Sequence, residues 1–209
     1  MLFDIKKVSG GIYFPGLNPE IVSVPEMKYV AFRGCGCPDS ECGDFRTAIN
    51  ALYDLVNSAK AGGMIGRWME GYSDFVVPPL ETFWWHDSGV ETMHTGEFGW
   101  IVCMRIPDFV TRNVYDTMMD DLAVMTGKDF PGVEFMTIEE GLCVQCLHAG
   151  SLDEEPVTIT RMGKYLLDNG YRFDLSDFRL HHEICLTHGA GIPDDKMVTI
   201  IRIPIRKAL

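Results

Sequence analysis

The sequence predicts a mixed α/β fold of the α+β type, built from two β-α-β-β modules related by a pseudo-two-fold axis. Three observations carry this. Strand-like and helix-like apolar patterns follow one another in the same order twice along the chain. Each run closes on a similar four-residue figure, Met104-Arg105-Ile106-Pro107 and then Ile201-Arg202-Ile203-Pro204, which with the repeated order points to an internal duplication. At 209 residues, with 46% hydrophobic and 23% charged side chains, the chain has the length and composition to bury a core.

Residues 1–24 hold Gly10, Gly11, Pro15, Gly16 and Pro19 and read as an irregular lead-in. Residues 28–33, Lys-Tyr-Val-Ala-Phe-Arg, read as a strand, and residues 34–43 as a loop. Phe45, Ile49, Leu52, Tyr53 and Val56 recur at helical spacing, so 44–60 is a helix, ended by Gly62 and Gly63. Aromatic and β-branched residues make 76–86 a strand entered through Pro78-Pro79, and 99–106 a strand stopped by Pro107. Residues 108–126 form a helix with Val110, Val114, Met118, Leu122 and Met125 as its stripe and Gly127 as its stop. A short strand starts at 135–137, and the second unit follows: strand 141–149, then helix 158–169 carrying Ile159, Met162, Tyr165 and Leu166 and closed by Gly170. Strands at 181–187 and 197–205 complete it. The expected layout is one domain over 1–209, with modules at about 20–107 and 134–206 and a connecting helix at about 108–127. Helices would cover one face of each sheet, leaving a cleft between the halves where a pocket forms.

The net charge is −12, and no lysine/arginine cluster stands out. Proteins that grip nucleic acid carry basic patches, so direct nucleic-acid binding is not expected. Acidity keeps a protein soluble and, at long range, favours cationic partners. No apolar run approaches the ~20 residues of a membrane helix, and the first seven residues lead into no signal-peptide core. A cytoplasmic protein without membrane association is expected. Nothing in the residues specifies a protein partner.

Seven cysteines, an odd number, read as free thiols in a reducing compartment. Cys35, Cys37 and Cys42 cluster in a Gly/Pro loop but lack a second Cys/His pair at finger-like spacing. Cys143 and Cys146 fall on opposite faces of a strand. The six histidines, His86, His94, His148, His181, His182 and His188, form no His-x-x-x-His pair, and His181 and His182 face opposite sides. No metal is expected. No Walker loop, Gly-x-Gly-x-x-Gly turn or Gly-x-Ser-x-Gly elbow is present, so no cofactor is expected either.

Several segments, taken in order, resemble the GyrI-like small-molecule-binding family in its stand-alone form, over roughly residues 3–206. They are Val24-Pro25-Glu26-Met27, Ala48-Ile49-Asn50-Ala51-Leu52-Tyr53 and Pro79-Leu80-Glu81-Thr82-Phe83-Trp84-Trp85. Arg105-Ile106-Pro107-Asp108-Phe109-Val110-Thr111 and Glu140-Gly141-Leu142-Cys143-Val144-Gln145 follow. His148-Ala149-Gly150, Glu155-Pro156 and His181-His182-Glu183-Ile184 complete the set. The resemblance implies paired β-α-β-β modules with a cleft that takes hydrophobic, often cationic, compounds. Some stand-alone members resemble hydrolases that open strained cyclopropanoid toxins; others are sensor domains fused to DNA-binding segments, or gyrase inhibitors. Three places depart from the family pattern. Cys185 stands where a tyrosine is usual, and the loops at 188–192 and 34–38 lack the usual Asp-Pro.

Alternation places His181, Glu183, Cys185 and Thr187 on one strand face and His182, Ile184 and Leu186 on the other, which suits the core. A carboxylate in mid-strand must face a cleft or be paired, since an unpaired buried charge is costly. In a partly apolar cleft the pKa of Glu183 rises, and the group attracts a ligand cation or orients water as a general base. The competing arrangement pairs Glu183 with Arg105 or Arg202. Glu81, Phe83 and Trp85 share one face of their strand, and Leu80, Thr82 and Trp84 the other. A two-fold axis would bring Glu81 near Glu183. Aromatic faces attract cations and stack on flat ligands. Trp84 and Trp85 cannot point the same way, and Trp85 is the one assigned to the cleft. Tyr53 stands either as a lid and hydroxyl donor or as a core residue with its hydroxyl at the surface.

The ligand set is therefore Glu81, Phe83, Trp84, Trp85, Tyr53, Cys185 and Glu183. The expected function is binding of a hydrophobic, cationic or planar small molecule, in sensing or sequestration. The alternative is cofactor-free hydrolysis of electrophilic cyclopropanoid compounds, with Glu183 the catalytic residue. A third reading is an acidic inhibitor of a protein such as DNA gyrase.

Overall fold

The computed structural model describes residues 2–36, 44–61, 71–72, 74–85, 99–187, 193 and 196–208. Strand β1 (Leu2–Phe3), helix α1 (Ile5–Val8) and a 3-10 turn at Gly10–Tyr13 precede the first long strand, β2 (Glu20–Cys35). Helix α2 (Asp44–Ala61), β3 (Asp74–Phe75), β4 (Leu80–Trp85), β5 (Gly99–Ile106) and α3 (Arg112–Thr126) follow. The second half runs β6 (Glu134–Ala149), α4 (Glu155–Asp168), β7 (Tyr171–Phe173), β8 (His181–Cys185) and β9 (Val198–Lys207). The mixed α/β class is as the sequence indicates.

The sheet closes on itself. Six strands pair antiparallel in the order β6-β2-β5-β4-β8-β9, and β9 pairs back onto β6. Closure removes both exposed edges and turns one face of every strand inward. The sequence reading had helices on one face of each of two sheets; here the strands of both halves join in one closed sheet, with the helices on its outer face. Inside lie Met27, Tyr29, Phe83, Ile101, Cys143 and Ile184, with Ile12 and Tyr13 of the 3-10 turn packed among them. The lead-in read as irregular thus contributes fully buried Tyr13 to the barrel core. Outside, α2 and α3 pack on Val30, Trp100, Val102 and Met104, and α4 packs on Val144, Cys146, Ile201 and Ile203.

Boundaries moved for local reasons. The strands expected at 135–137 and 141–149 are one continuous β6, which passes through Gly141 at φ +66. Only glycine takes that left-handed conformation cheaply. Between the pairs Val24↔Gly141 and Glu26↔Glu139, β2 and β6 both change which residues face inward, from Val24 to Met27 and from Cys143 to Glu140. Pro25 stands at that point and supplies no N–H to the ladder. Helix α3 begins later than expected because Thr111 caps it, accepting from the Val114 N–H. Gly62, Gly63, Cys37, Cys42, His86, His94 and the loop at 188–192 lie outside the described residues. Among the described residues no helix is long and apolar enough to cross a membrane.

Candidate functional site

Strands β4 and β8 are neighbours, and their register sets which side chains meet. Thr82 opposes Glu183, Trp84 opposes His181 and Leu80 opposes Cys185. These six project on the outer face of the barrel, where α2 and α4 flank them. From α2, Phe45 stacks on Trp84 with ring centroids 5.2 Å apart and an interplanar angle of 28°. Tyr53 lies near Cys185, half-buried; burial, then the adjacent thiol, pushes its hydroxyl pKa up. From the first turn of α4 comes Glu155, itself buried.

Glu155, His181 and Glu183 converge. His181 Nε2 is 3.3 Å from Glu155 Oε1 and 3.3 Å from Glu183 Oε1. The imidazole is 0% exposed, whereas the Glu183 side chain keeps 19% of its surface. Burial alone would depress the His181 pKa; the two carboxylates outweigh it and lift the pKa to about 10. Glu183 moves the other way from a usual surface acid. Burial and the charge of Glu155 raise its pKa, against the pull of His181 and the Trp84 indole.

The ligand atoms of this trio lie within 4.8 Å of one another, a grouping able to hold a metal ion. The raised His181 pKa keeps a proton on the ring at neutral pH. Among the described residues neither ring nitrogen of His181 has an aligned hydrogen-bond partner, and neither has Glu155 Oε1.

The other expected site residues are elsewhere. Glu81 and Phe83 point into the barrel: Glu81 pairs in register with Ile184, not Glu183, and is 0% exposed. A strand's two faces are separated by the sheet itself, so the expected meeting of Glu81 with Glu183 does not occur. Trp85 also turns toward the interior cluster, with its indole over Gly99, where a Cβ would come within 1.9 Å. Trp84 therefore takes the place assigned to Trp85. Glu81 instead joins a buried polar chain. Tyr13 donates to Glu81 Oε1 at 2.6 Å, and His182 Nδ1 contacts Glu140 Oε2 at 3.0 Å. His182 Nε2 is 3.0 Å from Glu81 Oε2, though without the alignment of a hydrogen bond.

Both arginines proposed as partners of Glu183 are engaged elsewhere. Arg202 donates to Glu140, Gln145 and the Ile12 carbonyl, and Arg105 to Asp108. His181, Glu155 and Phe45 are the members of the Glu183 group that the sequence reading did not select. Alternation had placed His181 on the Glu183 face, while Glu155 and Phe45 sit at helix starts whose position over the barrel no local pattern encodes.

The comparisons agree with this architecture. A family model described as the GyrI-like small molecule binding domain matches residues 17–206. A crystal structure of an uncharacterized conserved protein from Listeria innocua shares 35% identity at a TM-score of 0.85, covering 98% of this chain and 100% of its own. A hydrolase from Listeria innocua shares 33% identity at a TM-score of 0.80, covering 98% of this chain and 100% of its own. The EcmrR C-terminal domain, at 14% identity and a TM-score of 0.51 over 91% of this chain and 98% of its own, shares the fold alone. A comparison with curated proteins finds no match. The matched span and these near-complete alignments place the chain in the GyrI-like small molecule binding domain family.

Proposed function

We propose that the outer cleft over β4 and β8 binds a hydrophobic, planar or cationic small molecule, in sensing or sequestration, with Glu183 as its anionic contact. One observation carries the reading: Glu183 is the most exposed of the acid–histidine group, at 19% against 11% for Glu155 and 0% for His181, beside the stacked Phe45–Trp84 pair. A carboxylate edged by aromatic rings suits a flat cation, which gains both charge and ring contact. Cys185 lies on the same outer face as Glu183, with Tyr53 near it. The strand orders β2-β5-β4 and β6-β9-β8 support reading the chain as one domain of two modules, residues 20–107 and 134–206, meeting at this cleft. Calorimetry against a panel of planar organic cations tests it. Binding should weaken roughly tenfold or more in Glu183→Gln, for loss of a charge-assisted contact. No binding across the panel, or equal affinity in Glu183→Gln, would sink the reading.

Turnover of the bound molecule is a second reading, favoured by the raised pKa of Glu183 beside a protonated histidine. Such a carboxylate is a better proton acceptor than an ordinary surface acid, so it can orient water as a general base. The Listeria innocua hydrolase aligned over 98% of this chain adds weight. Incubation with a cyclopropanoid electrophile, followed by mass analysis, should show a product heavier by one water. Unchanged turnover in Glu183→Gln would remove Glu183 from the chemistry.

A further inference from the structure

A second space lies between α2, α3 and β5, and none of the residues grouped round Glu183 lines it. It is a partly open pocket of about 80 Å³. Leu55, Val56 and Ala59 of α2 contribute to its lining, as do Val30 and Met104 from the barrel wall. Val114 and Met118 come from α3, and Phe3 and Phe75 from the paired strands β1 and β3. Among the described lining residues the one that is charged is Arg105; its two terminal nitrogens donate to Asp108, Ser9 Oγ and Met27 Sδ, and its Nε has no hydrogen-bond partner.

The space has room for several waters at roughly 10–15 Å³ each, but a buried water needs two to four polar partners. Apart from the single Nε of Arg105, the described lining side chains are apolar, short of that number. Apolar lining atoms that face no neighbour forfeit dispersion contact, which an apolar ligand restores. Two of the lining residues are methionines, whose unbranched, polarizable side chains adapt to varied apolar shapes. We propose that this pocket is a second ligand site, taking a small uncharged hydrocarbon group such as a substituted ring. It is independent of the acidic cleft: no lining atom provides a charge to a cation, and no residue of the Glu183 group is needed.

Toluene, titrated into the full chain carrying methyl-labelled methionine, tests the proposal by NMR. The Met104 and Met118 methyl signals should shift saturably while those of Met27, Met136 and Met162 hold. The same shifts should appear in Glu183→Gln, which separates this site from the cleft. Ala59→Leu, which extends a side chain into the void, should weaken the response roughly tenfold by overpacking the site. Val56→Ile adds a single methylene and should weaken it less, giving a milder control if Ala59→Leu does not fold. Unmoved Met104 and Met118 signals, or equal shifts at all five methionines, would overturn the proposal.

Discussion

Two carboxylates facing one imidazole nitrogen, each at 3.3 Å, govern how the cleft responds to pH. A cation is held by the ionised form of Glu183. Its pKa is raised, so affinity should fall as the solution is acidified through a range above the ordinary glutamate value of 4.5. Glu155→Gln removes a negative neighbour and lets the Glu183 pKa fall. The pH at which half the affinity is lost should therefore move downward, as read from affinity against pH. A midpoint that moves upward would contradict the geometry. Trp84→Ala should cost about 0.5–2 kcal/mol of binding to a planar cation by removing the ring face, whereas an unaltered affinity would assign the stacking to another residue. At this scale the sequence was informative about Glu183, because an acid in an apolar strand demands an explanation. Glu155 entered only as part of a family segment and was given no role, since an acid beside a proline at a helix start is ordinary on a surface.

The strands show how close approach fixes side-chain direction. Trp100 of β5 is fully buried and lies over Gly34 of β2, where an added Cβ would fall 2.2 Å from its ring. Gly34→Ala should destabilise the fold by about 1–3 kcal/mol, measured by urea denaturation, because neither the backbone nor the buried indole can give way freely. A variant as stable as the parent would show that Trp100 has room to move. Helix α2 was legible from Phe45, Ile49, Leu52, Tyr53 and Val56, since their spacing encodes one apolar stripe. Alternation likewise divided β4 correctly into a Glu81–Phe83–Trp85 face and a Leu80–Thr82–Trp84 face. It does not say which face is concave. Closure depends on β6 reaching β9, a pairing of distant segments that no local pattern announces. The two faces of β4 were therefore exchanged in the sequence reading, which sent Glu81, Phe83 and Trp85 to the cleft.

Across the whole molecule, the barrel is filled by a polar chain as well as by hydrocarbon. Glu140 is held by His182 and by Arg202, 2.8 Å from its Oε1. Burial would raise its pKa; His182 and Arg202 prevail and hold it down at about 2. The sign is that of a depressed acid. Glu140 supports the fold above pH 4.5, and that support is lost as pH falls toward 2. His181 has a raised pKa, so its contribution is complete below 6.5 and is lost as pH rises through about 10. Stability against urea should therefore fall at both extremes. Glu140→Gln should lose the acid-side dependence and cost about 3–5 kcal/mol at neutral pH, because it leaves Arg202 buried without its partner. A variant that kept the acid limb would place its origin in other carboxyl groups.

The cleft reading reduces to one position, the carboxylate of Glu183 at the outer junction of β4 and β8. A crystal structure with a bound planar cation examines that position directly. The expected result is a cationic centre within ~4–6 Å of the Glu183 carboxylate, where opposite charges interact strongly, and a ring lying on Trp84. A ligand seated elsewhere, with Glu183 and Trp84 untouched, would contradict the account.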